Sequence, residues 1–355
     1  MEISEIKSLK ELFTKKKSLT FLVGAGCSID PPSCLPAGRQ MMETILNYTC
    51  AKSEIENVLS IEDLRFEGLI ETVRDYLDSD LKIIDFYGLC DKPNLQHLFI
   101  ADMIHKGHYV MTTNFDFLIE HALKIKGIPQ EKIKIIITKS DFEKYKDPNS
   151  LLQDQIKTLY KIHGSTKNII EGEETRDTLI ATIQAFGSNK EGLDVFQIEP
   201  YKKPLFNNIS QGRTLVVMGY SGSDDFDIVP TLKILKNLVS LVWINYVYDD
   251  NGKEQLYEVN EATIHNPIDN DKNHRFLTEI YLMGNLDHIY RVNVNTSRII
   301  EELLASKYSK MGEPFGIEPS EWLRENLPTP TELDKLSFLF GFSPVRDFPY
   351  RSWDA

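Results

Sequence analysis

Short apolar runs alternate with helical segments along most of this 355-residue chain, and turns of small or polar residues end many of the runs. This alternation is typical of parallel βαβ units. It predicts an α/β fold: a Rossmann-like, doubly wound and mostly parallel sheet, with an amphipathic helix from Ile3 to Phe13 before it. The predicted strands cover residues 19–23, 108–112, 133–138, 157–162, 178–182, 213–219, 239–248 and 289–294, and the predicted helices cover 115–126, 225–238 and 296–306.

Two parts of the chain depart from this alternation. Residues 39–105 are mostly polar with partial helical stripes, which predicts a helical insertion. Six of the sixteen prolines lie beyond residue 310. We therefore predict one main domain over residues 1–310. A proline-rich linker or docking tail over 311–355 would follow, and could lead to a further domain in a longer chain.

Composition excludes several classes of protein. The net charge of −13 opposes broad binding to phosphate backbones, so we expect no direct contact with nucleic acid. The four cysteines are too sparse for a disulfide scaffold, and they fit a reducing cytoplasm. The apolar runs are strand-sized, so we expect no membrane span.

A glycine turn ends the first apolar run, in the sequence Gly24-Ala25-Gly26-Cys27-Ser28. Glycines let the backbone approach an anion, and a following helix can aim amide N–H groups at a phosphate. The turn is neither a P-loop nor a full GxGxxG, because Ile29 occupies the third glycine position. Taken alone, it is equally consistent with a tight structural turn.

Polar residues also follow later runs. Thr113, Asn114 and Asp116 come after the second predicted strand, and a helix cap would explain them without chemistry. An amide beside a carboxylate is also suited to holding a water and a carboxamide. His163 and Gly164 follow the run at 157–162, where an imidazole could act as a general base near neutral pH. A lone histidine is nevertheless more often structural.

Two further candidates lie later in the chain. Gly219 and Ser221 begin a turn of small residues that could hold a diphosphate or cap a helix. Asn245 interrupts an apolar run, and a buried amide must find partners. It is therefore either a structural hydrogen bonder or a reader of a ribose. All these candidates fall where α/β sheets bind ligands, beyond the carboxyl ends of the strands.

In this order and spacing, the motifs resemble the sirtuin superfamily, specifically the bacterial SIR2-like domains of antiphage defence proteins, over about residues 15 to 306. The glycine turn is similar to the family's GAGxS phosphate turn, and Leu35-Pro36 stands where sirtuins carry Ile-Pro. Thr113-Asn114-Phe115-Asp116 is similar to the TNxD form. The resemblance implies NAD+ as substrate, and an NAD-binding catalytic domain over residues 1–310.

The resemblance also implies roles for individual residues. Asn114 would position a water or the ribose hydroxyls, Asp116 would hold the nicotinamide carboxamide, and His163 would be the catalytic base. The remaining positions that match the family's motifs would bind NAD+: Gly24, Ala25, Gly26, Cys27, Ser28, Pro36, Thr113, Gly219, Ser221 and Asn245.

The chain departs from protein-deacylating sirtuins in two places. Those enzymes hold a zinc ribbon with two CxxC pairs after the catalytic histidine, whereas the interval from Gly164 to Arg213 contains no cysteine, so we expect no zinc. Ala37-Gly38-Arg39 also replaces their Asp-Phe-Arg. We therefore expect an NAD+ glycohydrolase that releases nicotinamide and ADP-ribose. The alternatives are a catalytically silent sensor of NAD or ADP-ribose, or assembly module, and an NAD-dependent protein deacylase.

Partners follow from this expected activity. A hydrolase that drains NAD+ would be toxic if it were always active. By analogy with the family, we expect a homo-oligomer that acts in defence and is switched on by assembly, or by an activating protein or phage component.

Overall fold

The structure, a computed structural model, describes residues 6–15, 18–61, 64–180, 198–221, 228–304 and 312–331. The first of its two compact units contains an eight-stranded sheet. The strands, with a separate short hairpin formed by β5 and β6, are β1 (Leu19–Val23), β2 (Tyr109–Thr112), β3 (Ile133–Ile136), β4 (Lys157–Lys161), β5 (Lys167–Asn168), β6 (Glu173–Glu174), β7 (Thr214–Met218), β8 (Ser240–Tyr246), β9 (Gln255–Glu258) and β10 (Ile289–Val294).

The strand order in the sheet is β3-β4-β2-β1-β7-β8-β10-β9. All neighbouring pairs are parallel except β9 with β10. From β1 the chain builds one half of the sheet through β2, β3 and β4, and then returns to the other side of β1 with β7. The predicted Rossmann-like, mostly parallel fold is therefore confirmed.

Helices cover both faces of this sheet, which explains why its central strands are buried along their whole length and mostly apolar. One face packs against α1 (Leu9–Lys15), α5 (Leu95–His105), α6 (Leu118–Ile125) and α13 (Thr296–Leu304). The other face packs against α7 (Lys139–Lys144), α8 (Pro148–Gln153), α9 (Lys203–Ser210), α10 (Ile228–Ile234) and α12 (Lys272–Leu282). A short helix, α11, spans Glu261–His265.

A second compact unit is made of residues 36–86 together with residues 316–331, within the described residues. Its helices are α2 (Gly38–Thr49), α3 (Ile55–Leu59), α4 (Phe66–Tyr76) and α14 (Pro319–Asn326). The Tyr48 hydroxyl lies 3.1 Å from the carbonyl oxygens of Leu327 and Pro328, and the rings of Phe86 and Trp322 meet edge to face at 6.0 Å. These contacts join α14 to the earlier helices of the unit.

Several predicted elements have different bounds in the structure. The first helix begins at Leu9, later than predicted, and the helix predicted over 115–126 begins at Leu118. The prediction of a strand at 178–182 is wrong for residues 178–180, because a 3-10 turn at Arg176–Thr178 leads there into irregular chain. Residues 181–182 lie outside the described residues. Residues 225–227 of the predicted helix 225–238 also lie outside them, as do 305–306 of the helix at 296–306.

Candidate functional site

The carboxyl ends of four adjacent strands lie in one row. The sheet register pairs Lys161 of β4 with Thr112 of β2, Thr112 with Val23 of β1, and Val23 with Met218 of β7. The predicted motifs after these strands all begin within the next few residues, on the same edge of the sheet. The chain continues from β1 to β2 on one side and later returns to β7 on the other side of β1. Open α/β sheets form their ligand crevices at such a switch point.

The turns after β1 and β7 interlock. The Gly24 amide donates to the Met218 carbonyl at 3.0 Å, and the Gly26 amide donates to the Gly219 carbonyl at 2.7 Å. A Cβ on Gly24 would lie 2.6 Å from the Gly219 oxygen, and Gly219 has a φ of +63°. These glycines therefore permit the close approach of the two turns. The first of these amides is thus bonded to the last residue of β7 and the second to the residue directly after it. Phosphate binding at this turn stays a prediction.

Ser28 joins the loops after β1 and β2. Its hydroxyl lies at the end of a 3-10 turn (Ala25–Ser28) and donates to Asp116 Oδ2 at 2.7 Å. Asn114 Nδ2 lies 3.3 Å from Ser28 Oγ, and His97 Nε2 lies 3.2 Å from it. All four side chains are buried. The structure thus brings together three of the predicted residues and one that was not predicted, His97.

Asn114 presents a buried acceptor. Its Nδ2 also lies 3.3 Å from the Gly24 carbonyl oxygen, which can only accept, so the amide orientation is fixed with its NH2 group toward Gly24. The opposite atom, Oδ1, has no hydrogen-bond partner among the described residues, although Asn114 is only 6% exposed. An unsatisfied buried acceptor costs about 1–3 kcal/mol, so this atom is placed to receive a donor from outside the fold.

Lys161 ties the end of β4 to the Asn114–Asp116 loop. Its ammonium donates to the Asp116 backbone carbonyl at 2.6 Å and to Glu120 Oε1 at 3.1 Å, and it lies 4.8 Å from the centre of the Phe117 ring. Lys161 is 0% exposed and Glu120 is 2% exposed. Burial raises the pKa of Glu120, and the charge of Lys161 opposes that shift.

The backbone around His163 is fixed by its neighbours. The Ile162 amide donates to the Thr112 carbonyl at 3.0 Å, and the Ile162 carbonyl accepts from the buried Lys202 ammonium at 2.5 Å. The His163 carbonyl accepts from the Ile180 amide at 2.9 Å. His163 therefore follows β4 at the position equivalent to Asn114 after β2, since Thr112 and Lys161 are paired.

Gly164 is required by the turn that follows His163. Its φ is +76°, and a Cβ at this position would lie 2.0 Å from the Thr178 carbonyl oxygen. The close approach lets residues 165–180 fold back against the end of β4. Within this stretch, Glu171–Thr178 contributes to the β5–β6 hairpin and to the 3-10 turn.

The Asp116 carboxylate acts on the ionisable groups around it. The pKa values of the Cys27 and Tyr87 side chains are raised mainly by burial and to a smaller extent by the charge of Asp116. Cys27 is therefore a neutral thiol at physiological pH. Burial lowers the pKa of His97 to about 4, and the charges of Asp116 and Asp30 oppose this shift. His97 is accordingly a neutral imidazole.

Residues 108–266 match the family model described as SIR2-like domain. The chain contains a SIR2-like domain. No curated protein matches the chain. The match includes Asn114, Asp116 and His163, and it supports an NAD-related function. It is narrower than the predicted extent of 15 to 306, so the glycine turn at 24–28 and Pro36 lie outside it.

The other predicted site residues are more dispersed. The Thr113 amide donates to the Val23 carbonyl at 3.2 Å, which places it at the same edge. Asn245 is half-buried, and its amide bonds to Asn293 and Asn273 at 3.1 and 3.0 Å. Ser221 is exposed. Pro36 is half-buried and belongs to the second unit. Binding of NAD+ by these residues stays a prediction.

Three residues of the candidate site were missed by the sequence reasoning: His97, Glu120 and the side chain of Lys161. Lys161 did give a signal, because a lysine before the end of an apolar run must be either exposed or paired. His97 gave one too, since it lies three residues after Asn94, the cap of α5, and completes a capping box with it.

Two classes of feature are absent from the described residues. Within them, no group of three or more His, Cys, Asp or Glu side chains is arranged to hold a metal ion. Among the same residues, no helix combines the length and the apolar character that a membrane span requires. The predicted absence of zinc remains a prediction.

Breaking the Lys161–Glu120 pair should strongly destabilise the protein. Lys161→Met leaves Glu120 buried without its cation, and we expect the free energy of unfolding to fall by about 3–5 kcal/mol. Adding Glu120→Leu should recover part of that loss. Urea unfolding measures each variant. Lys134→Met, which removes a cation from the partly exposed pair with Glu171, is the control and should cost about 1 kcal/mol or less. Equal losses for the two single variants would contradict the prediction.

The low pKa of His97 predicts a loss of stability in mild acid. The folded value of about 4 lies below the ordinary value of 6.5, so between these pH values the unfolded chain binds a proton that the folded chain does not. The free energy of unfolding should therefore fall by about 2 kcal/mol on this account between pH 7 and pH 5. Urea unfolding at both pH values should show a smaller fall for His97→Gln, whereas an identical fall would refute this assignment.

Proposed function

We propose that this protein is an NAD+ glycohydrolase that cleaves the bond between nicotinamide and its ribose. The observation that carries the proposal is the buried, unpartnered Oδ1 of Asn114 at the carboxyl edge of the sheet, in the loop beside the one that begins with His163. The match of residues 108–266 to SIR2-like domains supports NAD+ as the substrate. The products would be nicotinamide and ADP-ribose.

Asn114 supplies orientation in this proposal. Its NH2 group is held by Gly24 and Ser28, so Oδ1 can accept a hydrogen bond from a water or from a ribose hydroxyl. A carbonyl held in this way needs no rearrangement when the ligand arrives. Holding reactants in one geometry can contribute about 7–11 kcal/mol to lowering a barrier, so such positioning is a large part of the catalysis expected here.

His163 acts as the general base. The bond to nicotinamide breaks with positive charge developing on the anomeric carbon, and nicotinamide leaves without needing a proton. The chain therefore has to activate one water rather than protonate a leaving group. The His163 imidazole would accept the proton from that water or from a ribose hydroxyl.

Asp116 contributes a negative charge where positive charge develops. Its carboxylate is 5% exposed, and its two oxygens accept from the Ser28 hydroxyl and the Leu118 amide. A carboxylate accepts about four hydrogen bonds, so capacity remains for the nicotinamide carboxamide. A fixed charge in a buried site stabilises an opposite charge more strongly than it would in water.

Replacing His163 should separate binding from turnover. We expect His163→Ala to lower the rate of nicotinamide release by about 10²- to 10⁴-fold, because that is the usual contribution of a general base. NAD+ affinity should change little. The measurements are a product-resolved time course with NAD+ and isothermal titration calorimetry. His105→Ala is a matched control, since His105 is an exposed histidine at the end of α5 and should leave both values unchanged.

The outcomes distinguish the competing functions. Undiminished nicotinamide release by His163→Ala would exclude His163 as the base. Binding of NAD+ or ADP-ribose by the wild-type protein without any release would favour a silent sensor or assembly module. Product that forms only when an acylated peptide is added would favour a deacylase.

The proposal extends to control of the activity. Because unregulated hydrolysis of NAD+ would be toxic, we propose that turnover depends on assembly, or on an activating protein or phage component, as expected of a defence effector. Size-exclusion chromatography combined with the turnover assay tests this dependence on assembly. A monomer with full activity would count against it.

A further inference from the structure

We propose that Asp30 is a specificity-determining residue of the nucleotide site, whose carboxylate accepts a hydrogen bond from the adenosine ribose and repels the 2′-phosphate of NADP+. The inference deepens the proposed function and rests on it for the identity of the nucleotide. Asp30 lies in the loop after β1, two residues beyond Ser28, and outside the residues that match the SIR2-like domain. The site would therefore accept NAD+ and exclude NADP+.

Asp30 lies beyond the carboxyl ends of β8 and β10. The Ser297 hydroxyl, in the first turn of α13, donates to Asp30 Oδ2, and α13 directly follows β10. The chain after β8 runs beside the same strand end, because the Val247 amide donates to the Val294 carbonyl at 3.0 Å. The loop after β1 thus reaches the place where β8 and β10 end.

This place suits the far end of a dinucleotide. Three strand spacings separate β8 from β2 in the order β2-β1-β7-β8, which is about 14 Å at about 4.8 Å per spacing. Two riboses joined by a diphosphate can span that distance. With the nicotinamide ribose at Asn114, the adenosine ribose therefore falls near the ends of β8 and β10, across the switch point between β1 and β7.

The Asp30 carboxylate is held in place and keeps one oxygen available. Gln96 Nε2 donates to Oδ2 at 2.7 Å, and the Ser297 hydroxyl donates to the same oxygen. Both donors are neutral, so they leave the negative charge of the carboxylate in place. No donor among the described residues bonds to Oδ1, and Asp30 is half-buried rather than enclosed. A carboxylate oxygen can accept two hydrogen bonds, so Oδ1 can receive a ribose hydroxyl.

An exposed aromatic ring lies near this carboxylate. Tyr246, the last residue of β8, is on the same face of the strand as Ile244, and that face packs against α13. The Tyr246 side chain belongs to a residue that is 48% exposed. Its pKa is raised first by burial and then by the charge of Asp30, so the two groups lie within electrostatic reach. An exposed ring can stack on a base, and an acceptor beside such a ring matches the two parts of an adenosine.

Asn245 is less available to the ribose than Asp30. Its Nδ2 donates to Asn293 Oδ1 at 3.1 Å, and its Oδ1 accepts from Asn273 Nδ2 at 3.0 Å. It also lies on the opposite face of β8 from Tyr246, because side chains alternate along a strand. A ribose hydroxyl at Asn245 would compete with these two bonds.

A fixed negative charge at the ribose separates the two nucleotides. In doubly wound folds, a carboxylate that bonds to the ribose 2′-hydroxyl is typical of NAD sites, and an arginine is typical of NADP sites. NADP+ carries a phosphate at this position, which removes the hydroxyl donor and brings like charges together. Binding of NADP+ would therefore cost Asp30 a hydrogen bond and add a repulsion.

A purely structural role for Asp30 is the competing explanation. Its carboxylate lies at the amino end of α13, where negative charge is favourable, and its backbone carbonyl accepts from the Ser33 amide at 3.1 Å. Asp30→Asn separates the roles, since it keeps an oxygen for Gln96 and Ser297 but removes the charge. Asp30→Glu keeps the charge. A structural role predicts that the variants lose stability without any change in nucleotide selectivity.

Calorimetry with ADP-ribose and with its 2′-phosphate measures the selectivity without turnover. We expect the wild-type protein to bind ADP-ribose more tightly by about 100-fold or more. Asp30→Asn should lower this ratio of affinities by about tenfold or more, chiefly through tighter binding of the 2′-phosphate, and Asp30→Glu should keep it within about threefold. Asp249→Asn is the matched control, because Asp249 is an exposed carboxylate in the loop after β8. Its ratio should stay within about twofold of wild type.

The wild-type protein alone provides a second measurement. Raising the salt from about 0.1 M to about 1 M shortens the screening length from about 10 Å to about 3 Å, so the ratio should narrow. Equal affinity for the two ligands, no binding of ADP-ribose, or an unchanged ratio in a folded Asp30→Asn variant would each overturn the inference. If the selectivity is as expected but NAD+ is not hydrolysed, the proposed function fails and the role of Asp30 stands.

Discussion

The burial of the Asp116 carboxylate is the constraint on which the rest of the site depends. A carboxylate away from water is stable only when donors surround it. The chain supplies the Ser28 hydroxyl from the loop after β1 and the Leu118 amide from the start of α6. Lys161, from the end of β4, holds the backbone carbonyl of the same residue. Meeting the needs of one acidic group therefore brings together three segments that are distant in sequence.

The same contacts prepare the site for chemistry. Side chains on strand ends and short turns are held more firmly than side chains on long loops, and satisfied hydrogen bonds restrict their rotamers. Asn114 illustrates the result, because both hydrogens of its amide face acceptors within the fold while its oxygen does not. The unsatisfied atom and the buried charge lie in one loop. Under the proposed function, the unsatisfied oxygen would accept a hydrogen bond from the sugar and the carboxylate would lie beside the cationic ring.

Much of the fold and part of the candidate site could be predicted from the sequence. The strands at 19–23 and 289–294 have the predicted bounds, because each apolar run is ended by a polar or glycine residue. Asn114, Asp116 and His163 could be placed at one edge because parallel strands share their carboxyl ends. The segment with Leu179 and Ile180 was wrongly predicted to be a strand, since both residues are buried as strand residues would be. They lie instead in irregular chain, where the Ile180 amide bonds to the His163 carbonyl.

The residues of the site that could not be predicted from the sequence are polar and buried. Lys161, Glu120 and His97 are residue types that usually face water, and only the tertiary structure shows that they are enclosed and paired. Helix α12 was missed for a related reason, since its polar sequence carries few apolar residues, such as Phe276, Leu277 and Ile280. The order of strands in the sheet has no local signal at all.

The second unit has a consequence for how this chain can be cut. Its helices come from residues 36–86 and again from α14, whose neighbours Leu327 and Pro328 bond to Tyr48. The unit therefore cannot be excised as one continuous cassette. An expression boundary placed just after α13 would also strip the earlier helices of a partner and leave the Phe86 ring without Trp322. Fragments of this protein should accordingly be designed around contacts rather than around the linear order of the chain.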